Sequence, residues 1–244
     1  MPMTNRFPQM SPKRLARLTG VFFLLTIVAA IIAQGLIAER LVNSNDASVT
    51  ARNIVANPDL FRFGFTMYMI EMVSQTVMTM LLYELLKPVS RTGSLIAAVI
   101  GVVGCGIKAF SRLFYVAPAL VLEGTHYLNT FSAEQLHSIA LLFYNVNEMG
   151  AAIAVVFFGF STLITGWLMI RSTYLPRFLG WFGVAGGIGW LAFLWPPLGY
   201  RLNLYIAAVA LLGSIVTIVW LIVFGVNEAR WTEQARVAEG MQAA

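Results

Sequence analysis

Apolar residues gather in six blocks along this 244-residue chain, and polar or helix-breaking residues separate them. A helix crosses roughly 30 Å of hydrocarbon with about 20 apolar residues. The blocks lie at about 18–37, 65–86, 95–116, 150–170, 178–194 and 204–225, and each is near that length. Ser11-Pro12 and Asn57-Pro58-Asp59 read as N-caps followed by Pro at the first helical position. Ser132-Ala133-Glu134-Gln135 fits a capping box, so the fourth long helix starts at Ala133, well before its apolar part, and runs to Arg171. The pattern predicts an all-α polytopic membrane protein. A single six-transmembrane-helix bundle fills residues 1–226, and a cytoplasmic tail over 227–244 grades from helix into disorder. A short helix over 46–56 lies outside the membrane. Extended outer ends of the third and fourth long helices form a cap, with Pro118 kinking the third.

Composition agrees. The chain is 59% hydrophobic and 11% charged, with a mean hydropathy of +0.77. A soluble domain carries about 25% charged residues, and so apolar a surface would aggregate in water. The net charge of +5 does not point to nucleic acid, because Lys and Arg collect at the helix ends. The lone Cys105 excludes an internal disulfide or a cysteine metal site and reads as a small buried thiol. The first block lacks a clear cleavage site and reads as an uncleaved signal anchor.

Short-loop cations set an expected orientation. Arg6, Lys13, Arg14 and Arg17 precede the first span. Lys87 and Arg91 follow the second, and Arg171 and Arg177 follow the fourth. All fall on one side if both termini are cytoplasmic. Span 5 holds Gly180, Gly183, Gly186, Gly187 and Gly189, a small-residue stripe suited to close helix packing in lipid. Trp190, Trp195, Tyr200 and Tyr205 surround its outer end as an aromatic belt would.

Charged residues inside the blocks mark the candidate site, because ionisable groups at membrane depth are costly unless paired or facing a cavity. At 1.5 Å per residue, Glu71 and Lys108 fall at one depth, with Arg112 about one turn further out and Glu148 near the outer interface. Residues four apart share a helix face. Glu71 therefore groups with Gln75, and Lys108 with Arg112, Cys105 and Tyr115. Tyr144, Asn145 and Glu148 form a third group. Two acids and two bases balance, with Glu71–Lys108 and Glu148–Arg112 as the expected pairs. Three alternatives stand for such a network: a purely structural one, the lining of a binding cavity, and a catalytic site.

The leading expectation is a non-enzymatic protein that binds or moves a small amphiphile or lipid in an outward-facing polar pocket. Glu71, Gln75, Lys108, Arg112, Tyr115, Tyr144, Asn145 and Glu148 would line it. One alternative is an intramembrane enzyme using Glu71 or Glu148 as acid or base. Another is a regulatory or scaffold subunit that docks a membrane-protein partner, or a second copy, through the glycine stripe. Gly159-Phe160-Ser161 is an incomplete GxSxG, and no HExxH occurs. His126, His137 and Glu134 match no metal motif, so neither metal nor cofactor is expected.

Several ordered segments carry a likeness. They are Arg14-Leu15-Ala16-Arg17-Leu18-Thr19-Gly20, Phe61-Arg62-Phe63-Gly64-Phe65, Leu81-Leu82-Tyr83-Glu84-Leu85-Leu86-Lys87-Pro88-Val89, and the stretch from Phe157-Phe158-Gly159 through Gly166-Trp167-Leu168 to Arg171-Ser172-Thr173-Tyr174-Leu175-Pro176-Arg177-Phe178-Leu179-Gly180. Together they resemble a bacterial integral membrane family known as domain of unknown function 4386. The resemblance implies a compact multi-helix domain in a bacterial inner membrane and brings no activity or site residue with it.

Overall fold

The computed structural model describes residues 10–123, 128 and 130–243. The first crossing, Pro12–Leu41, combines α1 (Pro12–Ala30), a π-helical segment (Ile31–Ala38) and the single turn α2 (Glu39–Leu41). The short α3 (Ala47–Ala56) follows, then α4 (Pro58–Leu86), α5 (Arg91–Leu122) and α6 (Ala133–Arg171). Next come α7 (Arg177–Leu191), extended by a 3-10 turn (Ala192–Leu194), then α8 (Pro196–Val223) and α9 (Glu228–Ala243). Six of these helices are long and apolar enough to cross a membrane.

Local chemistry sets the helix ends. Ser11 accepts from Arg14 N, Asp46 from Val49 N and Ser90 from Gly93 N. Ser132 and Gln135 form the reciprocal capping box, so α6 does start at Ala133. Asn57 departs from expectation. Its amide donates back to Asn53 O instead of capping α4, which relies on Pro58 at its first position. α8 closes at Gly225, whose φ of 68° lets its N–H reach Trp220 O. In the tail, α9 is helical from Glu228 to Ala243.

The six crossings close into a ring. α1 packs on α4, α4 on α5, α5 on α6, α6 on α7, α7 on α8, and α8 returns to α1. Large apolar side chains such as Val73, Phe110, Leu142 and Leu204 stay exposed on the outside, the surface a lipid-immersed bundle presents.

The tightest seam explains the glycine stripe. A Cβ at Gly180 would stand 2.5 Å from Gly166 O, one at Gly166 2.6 Å from Val184 N, and one at Gly187 2.7 Å from Leu163 N. α6 and α7 thus touch backbone to backbone, which only glycine allows. The stripe is therefore spent on packing α7 against α6 and α8 within the bundle. The aromatic belt is narrower than expected. Trp195 and Tyr205 are exposed, but Trp190 turns inward onto the axial cavity.

Two packed clusters seal the ring. At the end holding the N-terminus, Leu15, Leu85, Leu168, Leu175, Leu179 and Leu221 form an aliphatic plug. Tyr174 Oη and Trp231 Nε1 both donate to Leu85 O, at 2.7 and 3.0 Å, occupying a carbonyl near the end of α4. Burial pushes the Tyr174 phenol well above its ordinary range, so it remains a donor at any physiological pH. Lys13 N donates to Glu228, and Gln234 accepts from Thr173, which docks α9 on this end.

At the opposite end, Ile37, Leu41, Ile54, Phe61, Tyr68, Tyr115 and Tyr144 form an aromatic-rich plug. The α3 helix lies over it, held by Asn53 to Leu41 O and by His137 Nδ1 against Ser48 Oγ at 3.2 Å. The cap is therefore built from α3 as well as from the long ends of α5 and α6. His126 lies outside the described residues. His137 is engaged with Ser48, and no group of three or more metal-ligating side chains occurs among the described residues.

Candidate functional site

α4 and α5 run antiparallel, so depth estimates from the two ends of the chain can be checked by contact. Lys108 Nζ reaches Glu71 Oε1 at 2.5 Å, across 37 residues of sequence. The Glu71 side chain is 4% exposed and Lys108 16%. A paired carboxylate and ammonium can persist at this depth, where either alone would be severely penalised. Glu71 Oε2 is buried and has no hydrogen-bond partner. Lys108 donates to Glu71 through one of its three N–H groups.

The second pair is not the direct one expected. Arg112 is 2% exposed, and its guanidinium lies 3.5 Å from the centre of the Tyr68 ring. Its Nη1 donates to Asn147 Oδ1 at 2.9 Å, and Asn147 Nδ2 donates to Glu148 Oε1 at 3.1 Å. The amide thus relays between base and acid. A direct Arg112–Glu148 bridge is absent among the described residues because Asn147, fully buried, occupies the space between them. Stacking on the electron-rich face of Tyr68 offsets part of the desolvation of Arg112, whose Nε has no hydrogen-bond partner.

The remaining expected residues divide between two environments. Tyr115 stacks on Phe61 at 4.5 Å and donates to Phe61 O at 3.2 Å. It and Tyr144 belong to the aromatic plug and not to a pocket wall. Asn145 is exposed on the outside of α6. The inward asparagine is Asn147, which shares a face with Tyr144 and Glu148 at helical spacing. Gln75 does face the interior, one turn from Glu71.

What Glu71, Lys108 and Gln75 face is an axial cavity of about 370 Å³. All six crossings line it. It begins at the ion pair and extends toward the aliphatic plug, past Phe23, Phe158, Phe182 and Trp190 to Leu179 and Met169. On α6 it runs from Val155 to Met169, about 21 Å at the helical rise. Its wall is mostly apolar. The exceptions beyond the ion pair and Gln75 are hydroxyls: Thr26, Thr162, Thr165, Ser214 and Thr217. Thr26 and Thr217 donate to carbonyls of their own helices, at 2.8 Å each. The pocket that Glu71, Lys108 and Gln75 line is thus central and amphipathic, and the aromatic plug lies beyond its polar end.

Sequence reading missed Tyr68, Asn147 and Gln34. Tyr68 precedes Glu71 by three residues, so the face rule would have found it. Gln34 accepts a hydrogen bond from Tyr68 Oη. It is presented by the π-helical segment, a feature common at functional sites but without a sequence signature.

A closed six-helix ring, apolar outside and with an ion pair at the head of a largely apolar axial cavity, fits a multi-pass membrane protein. The chain belongs to the family described as Domain of unknown function (DUF4386), whose model matches residues 18–225. No curated protein and no solved structure matches the chain.

Proposed function

We propose that this membrane protein binds a small amphiphile or lipid within its axial cavity, the polar end of the ligand at Glu71–Lys108 and its tail among Phe158, Phe182 and Trp190. One observation carries this reading. A buried ion pair, Glu71–Lys108, lines one end of an otherwise largely apolar cavity in the volume range of small-molecule sites. The short-loop cations support a cytoplasmic position for the aliphatic plug and α9, in what the family resemblance suggests is a bacterial inner membrane. The site is then closed toward the outside by the aromatic plug.

Native mass spectrometry of protein extracted without alkyl detergent tests the reading. Wild type is expected to retain a small amphiphile, and Glu71→Gln/Lys108→Met to have lost it while remaining folded. A wild-type protein that carries nothing, and takes up nothing from a total lipid extract, contradicts it.

A further inference from the structure

We infer that the ligand is an alkyl-chain amphiphile with an uncharged hydroxyl or amide head, and neither an acid nor an amine; this rests on the axial-cavity reading above. Charge balance comes first. Among the described residues, Glu71 and Lys108 are the only charged ones on the cavity wall, and they neutralise each other. Arg112 and Glu148 lie beyond Tyr68, joined through Asn147, and neither lines the cavity. A ligand arriving with its own charge therefore brings an unbalanced charge into low dielectric. An anion drawn to Lys108 Nζ meets the Glu71 carboxylate at contact distance. A cation drawn to Glu71 Oε2 meets the ammonium of Lys108 in the same way.

Hydrogen bonding points the same way. At the head of the cavity Lys108 has N–H groups beyond the one used by Glu71 Oε1, and Gln75 adds an amide one turn from Glu71. A hydroxyl or primary amide is donor and acceptor at once. It accepts from Lys108 Nζ and bonds the Gln75 amide without breaking the ion pair. The wall below, with Thr162, Thr165 and Ser214, tolerates further hydroxyls along the upper part of a chain.

Shape gives the tail. The cavity extends about 21 Å along α6, past Phe158, Phe182 and Trp190, an elongated apolar space suited to an alkyl chain.

The test uses full-length protein in lipid nanodiscs, in two single-tryptophan versions. One keeps Trp190 in the cavity and the other keeps Trp181, which is exposed on the outer surface of α7. Chain-brominated dodecanol, dodecyl sulfate and dodecyltrimethylammonium are titrated against each, and Trp181 quenching corrects for partition into the bilayer. The expected result is saturable quenching of Trp190 by the alcohol, at least tenfold tighter than by either ion, and abolished by Glu71→Gln/Lys108→Met. Equal or tighter saturation by the sulfate or the ammonium overturns the neutral-head assignment while leaving the cavity reading in place. No saturable Trp190 quenching by any of the three overturns both.

Discussion

Two acid–base couples sit one helical turn apart in this bundle, each of one glutamate and one base, yet they occupy different physical situations. Glu71–Lys108 touches directly, and both residues line a cavity. Arg112–Asn147–Glu148 is relayed through an amide, stacked on Tyr68 and packed against the aromatic plug. Charge content alone therefore does not tell a binding group from a strut. Each couple leaves one buried polar atom without a partner, Glu71 Oε2 and Arg112 Nε, so what separates them is what lies beside them. The Arg112 couple packs against protein, and the Glu71 couple lines an elongated cavity.

The sharpest way to break this comparison is to remove one charge from each couple. Arg112→Ala leaves Asn147 and Glu148 without their base and is expected to destabilise by about 3–5 kcal/mol, read by unfolding in mixed micelles. The fraction that folds should keep its ligand. Lys108→Ala is expected to destabilise comparably by stranding Glu71, but Glu71→Gln/Lys108→Met should recover all but about 1.5 kcal/mol and still bind nothing. Equal ligand loss from both couples would erase the distinction. Asn147→Leu comes next, at about 1–3 kcal/mol, because the Arg112 Nη1 donor and a Glu148 oxygen lose their partner. Tyr115→Phe removes only the bond to Phe61 O and should lower stability by about 0.5–1.5 kcal/mol, leaving ligand retention unchanged. Asn145→Ala, on the exposed face, should change stability by less than about 0.5 kcal/mol.

These contrasts also show how far sequence alone reaches. Hydropathy blocks locate all six crossings because lipid exposure leaves a contiguous apolar run, and the capping box at Ser132 places the start of α6. Glu71–Lys108 is legible as well, since two antiparallel helices with known ends fix relative depth. Facing is less legible. Asn145 and Asn147 lie two residues apart near Tyr144 and Glu148, and only the packing of α6 on α5 selects the second. The partner of the glycine stripe is invisible in span 5 because it depends on Gly159 and Gly166 of another helix. The cavity is a property of ring closure. No local residue pattern encodes where six helices fail to meet.

The most direct test of the central claim is the density inside the ring, from crystals of wild-type protein grown in a lipidic mesophase. The account predicts one unbranched tube of density that starts within hydrogen-bond distance of Glu71 Oε2 and Lys108 Nζ and runs past Trp190 toward Leu179. An axis filled by protein side chains, with Glu71 Oε2 bonded to one of them, would contradict it.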